Sequence, residues 1–255
     1  MNRYLTSLLL GALCVAGCTA YNFQAELPET WTGPAVGITE IDIRADAGAI
    51  SVRAGKDSVL SYTYTVTKSC KGTSQADAES HLADITTGDS LSGSTLYLWG
   101  KVPLPNNRSY STKYEVAVPA ATELHLEATN GAVDLDSMAG AAVIIATNGP
   151  VTTTAHSGSI SVEATNGAID CDVAALGMGG TAALHSANGP VTIYLPADAS
   201  VAFDITTSNG KASVEGFTGV NYSTDESKHK VGIIGAGTAA VTLRSQNGNV
   251  TIQAK

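Results

Sequence analysis

The sequence predicts an all-β protein: a single-stranded β-solenoid with coils of about 18–22 residues, preceded by a strand-rich section with one short helix. The dipeptide Asn-Gly recurs at Asn130, 148, 166, 188, 209 and 247, with spacings of 18, 18, 22, 21 and 38 residues. Around each Asn-Gly, apolar and polar residues alternate with a period of two. This alternation is typical of strands with one buried face.

Alignment of the repeats on their asparagines produces columns of like residues. The position four before the asparagine is always apolar, the position two before it is always small, and the position three after it is apolar. A unit of about 20 residues cannot bury such a row alone, so the units are predicted to stack. The column four before the asparagine comprises Leu126, Ile144, Val162, Leu184, Ile205 and Leu243.

The Asn-Gly pairs are interpreted as the corners of the coils. Both residues tolerate the positive φ that a tight turn demands, and stacked asparagines can hydrogen-bond along the axis. A lone Asn-Gly is more typical of a hairpin turn, but six with matching columns favour a solenoid. The predicted corner residues are Asn130, Gly131, Asn148, Gly149, Asn166, Gly167, Asn188, Gly189, Asn209, Gly210, Asn247 and Gly248.

The section before the repeats is less regular. Residues 43–52 fit the same register around Gly48, which predicts one further coil without its asparagine. Residues 58–68 and 94–102 are predicted to be long strands. Residues 74–86 predict a short helix that is capped by Ser74 and places Leu82 and Ile85 on one face.

Two other segments interrupt the regular pattern. Residues 103–111 are predicted to form a loop, and residues 216–236 form a polar excursion between the last two coils. The final strand, 250–255, is predicted to need a cover for its edge, for example a neighbouring protomer. Self-association through a solenoid edge is therefore one expectation.

The N-terminus has the features of a secreted lipoprotein. Arg3 precedes an apolar stretch from Leu5 to Val15 that is too short to span a bilayer. The following Val-Ala-Gly-Cys, ending at Cys18, resembles a bacterial lipobox, whose cysteine receives lipid. Residues 1–17 are predicted to be the signal peptide, 18–37 a lipidated tether and 38–255 the folded domain. An ordinary secretory signal is the alternative.

The lipobox implies a location in the cell envelope. Acyl chains such as palmitate would anchor the chain stably to the membrane. Thr19 follows the cysteine, where Asp is the usual signal for retention at the inner membrane. The resemblance therefore implies the outer membrane if the cell has one.

Cys70 and Cys171 are the cysteines that remain after Cys14 leaves with the signal and Cys18 takes lipid. A disulfide between them is one prediction for an oxidising compartment. Two separate thiols are the alternative, with Cys171 buried as a small apolar residue.

Composition and motifs point away from nucleic acid, metals and catalysis. The chain has 14 basic and 23 acidic residues, and phosphate binding needs Lys and Arg. Asp134/Asp136 and Asp170/Asp172 form two D-x-D pairs, which are interpreted as a solvated acidic face, with a weak cation site as the alternative. The five histidines, His81, His125, His156, His185 and His229, are expected at the surface. No metal, no cofactor and no catalytic residue is predicted.

The motifs resemble a bacterial domain-of-unknown-function family labelled "putative adhesin". The resemblance covers residues 38–255 and rests on the entry segment 113–135, the strand exit at 189–216 and the last coil at 235–253. It implies an exported or membrane-tethered β-solenoid with no established activity.

The predicted function is therefore a non-catalytic, lipid-anchored envelope protein with a surface for binding or adhesion. Its partner is expected to be an envelope protein or a glycan. An envelope scaffold or stress-sensing accessory protein is the alternative. A carbohydrate-active enzyme on a β-helix is disfavoured, because residues 121–215 contain one Lys and no Arg to assist chemistry on an acidic sugar.

Overall fold

A computed structural model describes residues 2–4, 22–55, 61–103 and 108–255. They form 22 strands, one α-helix (α1, Gln75–Ser80) and a short 3-10 helix (Leu82–Asp84). The strands are β1 (Asn2–Tyr4), β2 (Phe23–Pro34), β3 (Glu40–Ala45), β4 (Ile50–Ala54), β5 (Ser61–Gly72), β6 (Thr86–Ser92), β7 (Thr95–Lys101), β8 (Tyr110–Val118), β9 (Glu123–Asn130), β10 (Val133–Asp136), β11 (Ala142–Asn148), β12 (Val151–His156), β13 (Ile160–Asn166), β14 (Ile169–Val173), β15 (Thr181–Asn188), β16 (Val191–Leu195), β17 (Val201–Asn209), β18 (Ala212–Glu215), β19 (Asn221–Asp225), β20 (His229–Ile234), β21 (Ala239–Asn247) and β22 (Val250–Ala254).

The strands form two facing sheets with the main core between them. Sheet A has the order β1-β2-β5-β8-β4-β10-β12-β14-β16-β22-β18, and sheet B has the order β19-β20-β17-β21-β15-β13-β11-β9-β3-β7-β6. Each repeat supplies one strand to each sheet, and equivalent strands of neighbouring repeats pair in parallel. The predicted β-solenoid is confirmed.

The predicted columns are the interior files of the solenoid. Ile144 pairs with Leu126 on one side and with Val162 on the other, and all three side chains are buried. The small column lies next to the corner. There Ser186, Ser245 and Thr207 donate hydrogen bonds to backbone carbonyls of glycines in adjacent coils. The hydroxyl residues of the small column therefore link one coil to the next at the corner.

The coil that is last in the sequence does not lie at the end of the solenoid. Strands β21 and β22 insert between the coil of β15 and β16 and the coil of β17 and β18. The final strand is thus paired on both sides within the chain, and the prediction that it is an edge strand is wrong. The expectation that another strand covers the edge of β22 is met, because β18 of the same chain pairs with it.

The excursion at 216–236 is a β-hairpin of β19 and β20. It extends sheet B beyond β17 by antiparallel pairing. This end of the solenoid, with the hairpin on sheet B and β18 on sheet A, is called the distal end below.

The N-terminal section folds onto the other end. Strands β2, β5 and β8 pair antiparallel and continue sheet A. The side chain of Ser74 accepts a hydrogen bond from the backbone N–H of Asp77 at the start of α1, and Leu82 and Ile85 are buried, as predicted. The prediction of a tether is wrong for residues 23–34, because β2 pairs with β5 along its full length.

The glycine corners have a different cause from the predicted one. Positive φ occurs at Gly149 (150°), but at no asparagine among the described residues and at no other Asn-Gly glycine. Instead, the coils approach too closely for a side chain. A Cβ on Gly167 would lie 2.0 Å from the carbonyl oxygen of Gly149, and one on Gly189 would lie 2.1 Å from that of Gly167. The corner glycines are therefore required by the packing of one coil on the next.

Candidate binding surface

The outer face of sheet B carries two exposed aliphatic side chains on β11. Val143 and Ile145 are 45% and 38% exposed and point away from the core. Their cross-strand neighbours are His125 and Glu127 on β9 and Ser161 and Glu163 on β13. An apolar centre with a polar rim is typical of a contact surface. Val143 and Ile145 are called the β11 patch below.

A network of charged side chains borders the β11 patch. Asp42 on β3 is buried, and Arg44 donates two hydrogen bonds of 3.0 Å to its carboxylate. These bonds raise the pKa of Arg44. Nδ1 of His125 lies 3.5 Å from the same carboxylate. The network holds the charges fixed beside the patch.

The pair of Asp42 and His125 resembles two of the three members of a catalytic triad, but Ser161 does not complete it. The hydroxyl of Ser161 lies in the same row of sheet B, beyond Val143, two strands from His125. Two strand spacings amount to about 9.6 Å, which is too far for the direct hydrogen bond that general-base activation needs. His125 therefore cannot activate Ser161 directly.

A groove lies on the same face at the distal end. The hairpin of β19 and β20 and the strands β17 and β21 enclose about 570 Å³. The small side chains of Ala202 and Ala240 lie in it, beside Ile233 of the hairpin. Its lining includes the carboxylate of Asp204, which lies 3.1 Å from Nε2 of His229. This hairpin groove and the β11 patch share one face.

The outer face of sheet A is polar. One row across it runs through Asp134, Thr152, Asp170, Thr192, Thr251 and Ser213. Ser213 and Thr251 are hydrogen-bonded at 3.2 Å. This face is covered with hydroxyls and carboxylates, whereas sheet B presents exposed apolar side chains.

Residues 34–253 match the model of the Toastrack DUF4097 family. The chain belongs to this family. The match confirms the family resemblance that the sequence motifs indicated. None of the chain's described helices is both long enough and apolar enough to cross a bilayer.

Two solved structures with low sequence identity are similar to this Toastrack chain. One is a "putative cell adhesion protein" from Clostridium sporogenes, with 10% identity, a TM-score of 0.48 and coverage of 90% of this chain and 100% of that chain. The other is a "putative adhesin" from Bacteroides fragilis, with 14% identity, a TM-score of 0.35 and coverage of 89% and 97%. No curated protein matches the chain.

The corner asparagines of the Toastrack coils form a continuous hydrogen-bonded ladder. The first of them, Asn130, donates from Nδ2 to the backbone carbonyl of Asp46 at 3.4 Å. Each following Nδ2 donates to Oδ1 of the asparagine before it, at 2.8–2.9 Å. The ladder follows the spatial order of the coils, Asn130, Asn148, Asn166, Asn188, Asn247 and Asn209.

The two described cysteines are free thiols in separate hydrophobic clusters. Cys70 packs near α1, whereas Cys171 lies in the solenoid core. The structure thus has the two separate thiols of the alternative and no Cys70–Cys171 disulfide. Burial raises the pKa of Cys171 to about 11, so its thiol is unreactive near neutral pH. Cys14 and Cys18, with the rest of the predicted lipobox, lie outside the described residues.

One histidine contradicts the expectation of surface positions. His156 is fully buried, and burial lowers its pKa. The cause is a register shift between Thr153 and His156, where Ala155 adopts a φ of 52°. The bulge turns His156 into the interior. The sequence signal that could have predicted this is the place of His156 just before Ser157 and Gly158, which connect β12 to β13.

The D-x-D pairs are separated by one strand of hydroxyls. Thr152 lies between Asp134 and Asp170 in the register of sheet A. Asp172 pairs with Lys255, and Asp136 accepts a hydrogen bond from Ser137. Among the residues described, no three side chains of His, Cys, Asp or Glu come together as a metal site would require.

Sequence reasoning missed the β11 patch and the hairpin groove. Val143 and Ile145 occupy outward columns where the other repeats have mainly polar residues. The departure of these two positions from the pattern is the signal that could have revealed the patch. The groove depends on where the hairpin docks, which no local pattern indicates.

Proposed function

We propose that this Toastrack protein is a non-catalytic, lipid-anchored component of the cell envelope that binds a partner through the outer face of sheet B. The observation that carries the proposal is the exposure of Val143 and Ile145 on one strand of sheet B. Exposed aliphatic residues lose water favourably when a partner covers them.

The anchor would be Cys18. Two or three acyl chains on its amino terminus and thiol hold a protein stably on a bilayer. Processing there would also remove β1, because residues 2–4 belong to the predicted signal peptide. Only residues 19–22 would then separate the lipidated cysteine from the start of β2.

Labelling with radioactive palmitate tests the anchor. Cys18→Ser is expected to abolish labelling and to release the protein from membranes. Cys14→Ser, in the same apolar segment, is the matched control and should label as the wild type does. Equal labelling of both variants would contradict the anchor.

Photo-crosslinking in the envelope tests the binding face. A photoreactive amino acid at position 143 should yield a discrete adduct, whereas the same residue at position 152, on sheet A, should not. Adducts at position 152 alone would contradict the assignment of the face. A protein adduct would identify a protein partner, and an adduct that glycosidases digest would identify a glycan.

A functional readout separates adhesion from the alternative role. Val143→Ser/Ile145→Ser should weaken attachment of cells to their surface if the partner lies outside the cell. The same variant would alter envelope stress signalling instead if the protein serves as a scaffold or sensor. Thr152→Ala/Thr154→Ala, on sheet A, is the control for both assays.

A further inference from the structure

The outer edge of β2 is covered by a segment that the mature protein would lack. In the structure, the backbone of Asn2–Tyr4 pairs antiparallel with Thr30, Trp31 and Thr32. The processing proposed above removes that segment. A strand of 12 residues, Phe23–Pro34, then becomes the edge of sheet A, and exposed edges of this kind readily pair with another strand.

We propose that β2 of the processed protein pairs antiparallel with β2 of a second copy, across a two-fold axis at Trp31. This inference rests on the proposed cleavage at Cys18. In this register each residue of one strand faces a defined residue of the other, so that Thr30 faces the second copy's Thr32 and Trp31 faces Trp31.

The prolines of β2 define the length of the pairing. Pro28 and Pro34 have no backbone N–H to donate. They stand three residues on either side of Trp31, so a two-fold axis at Trp31 superposes one on the other. Five residues lie between them, and β1 covers the central three of these. The edge thus accepts an antiparallel strand at the place where a symmetric pair would form.

The side chains are compatible with this symmetry. Glu29 would face the second copy's Gly33, so no like charges stand opposite each other. Threonine pairs on one face of a sheet are favourable. Thr30 and Thr32 are already held in place by hydrogen bonds of 2.9 and 3.2 Å to the hydroxyls of Thr65 and Thr63 on β5.

Trp31 supplies an independent observation. Its ring stacks on Tyr64 at 5.0 Å, and its buried Nε1–H has no hydrogen-bond partner among the described residues. A buried donor without a partner costs free energy. A second strand alongside β2 brings further acceptors to this position.

The edges at the distal end are less suited to pairing. The edge strand of sheet A there, β18, has four residues. The edge strand of sheet B, β19, has an irregular register between Tyr222 and Thr224. Short strands and bulges are the usual protection of sheet edges. The long edge of β2 has only its prolines as protection against pairing.

The anchor would favour the pairing. Cys18 lies five residues before Phe23, a span of at most about 18 Å. Both copies would therefore hold β2 close to the same membrane, and confinement of this kind raises the effective concentration of weakly binding partners.

Disulfide trapping in native membranes tests the register. Full-length Thr30→Cys and Thr32→Cys chains carrying different tags are co-expressed and oxidised. A mixed disulfide dimer is expected. Each variant alone should cross-link at least about five-fold less, because like positions lie on a diagonal beyond good disulfide geometry.

Introducing like charges at the β2 edge provides a second test of the pairing. Thr30→Lys/Thr32→Lys places lysines opposite one another across the two-fold axis and should abolish co-purification of differently tagged chains. Thr63→Lys/Thr65→Lys, on the same face one strand away from the edge, is the matched control and should keep it.

Two results would overturn the inference, and palmitate labelling tells them apart. Palmitate-labelled, processed chains that neither co-purify nor form the mixed disulfide would disprove the pairing while leaving the proposed anchor intact. Chains that keep their leader and take no palmitate would disprove the proposed anchor and, with it, the premise of an open β2 edge.

Discussion

The central coils of the solenoid and its last two coils follow different rules of assembly. From β9 and β10 to β15 and β16, each coil stacks on the one before it in chain order. After β16 the order changes, and the final coil of β21 and β22 enters between two earlier ones. Both regions nevertheless use the same columns, corners and register.

The difference shows that matching columns specify how coils pair but not which coils become neighbours. Leu243 fits between Leu184 and Ile205 as well as Ile144 fits between Leu126 and Val162. The choice is made by the hairpin. Because β20 occupies one side of β17, β21 can pair with β17 only on the other side.

The largest effect is expected at the corner glycines. Gly167→Val in a central coil and Gly248→Val in the inserted coil should each destabilise the fold by more than about 4 kcal/mol, since each Cβ would overlap a backbone carbonyl. Chemical unfolding of the purified protein measures this. Gly177→Val is the control, because nothing lies within 4 Å of its added Cβ. A mild effect at Gly248 alone would show that the inserted coil packs more loosely.

Core truncation compares the two regions directly. Leu243→Ala and Leu184→Ala should each lower the free energy of unfolding by about 3 kcal/mol, because both side chains are buried between two coils. Unfolding midpoints in urea provide the measurement. A loss at Leu243 of less than half that at Leu184 would contradict the insertion, since a coil at an open end has only one neighbour.

The asparagine ladder should be equally strong in both regions. Asn148 and Asn247 each donate one hydrogen bond and accept another. Replacement of either by Ala is expected to cost about 1 kcal/mol, as measured by thermal unfolding. Replacement of Asn249, whose side chain accepts a bond from the backbone N–H of Lys211, provides a comparison outside the ladder. Unequal losses at the two ladder positions would indicate that the ladder is not continuous in solution.

The last comparison concerns pH and the bulged central coil. Burial lowers the pKa of His156 below its unfolded value, so the unfolded chain binds more protons. Stability should be unaffected above about pH 6.5 and should fall below it, by at most about 1.4 kcal/mol per pH unit. Unfolding at pH 7 and pH 5 tests this.

His156→Leu should remove that dependence, whereas His185→Leu, at an exposed outward position, should retain it. An unchanged slope in His156→Leu would mean that His156 does not titrate with folding.

Local patterns predicted the strands, the helix and the interior files. Period-two alternation identified the buried residues because the side-chain period of a strand is fixed. The proline-containing segment 23–34 was predicted wrongly as a tether, since its pairing with β5 depends on residues far away in the chain. His156 was predicted wrongly at the surface, because one bulge reverses which sheet face the following side chains point to.

The candidate surface was less predictable than the fold. The outward direction of Val143 and Ile145 follows from the columns, but the groove requires the hairpin to fold back beside β17. The corner glycines were identified by their spacing and explained wrongly, because a single coil contains no sign of how closely the next one will approach.

By itself the sequence determined that similar short units stack, which side chains they bury, and that a lipobox-like segment stands before them. The tertiary structure alone decided the order of the last coils, the place of β2 beside β5 in sheet A and the face that carries exposed apolar side chains. The physical reason is one of range. Alternation and turn chemistry act between neighbours in the chain, whereas the choice among equivalent partners depends on which sheet edge is still unoccupied when a coil arrives.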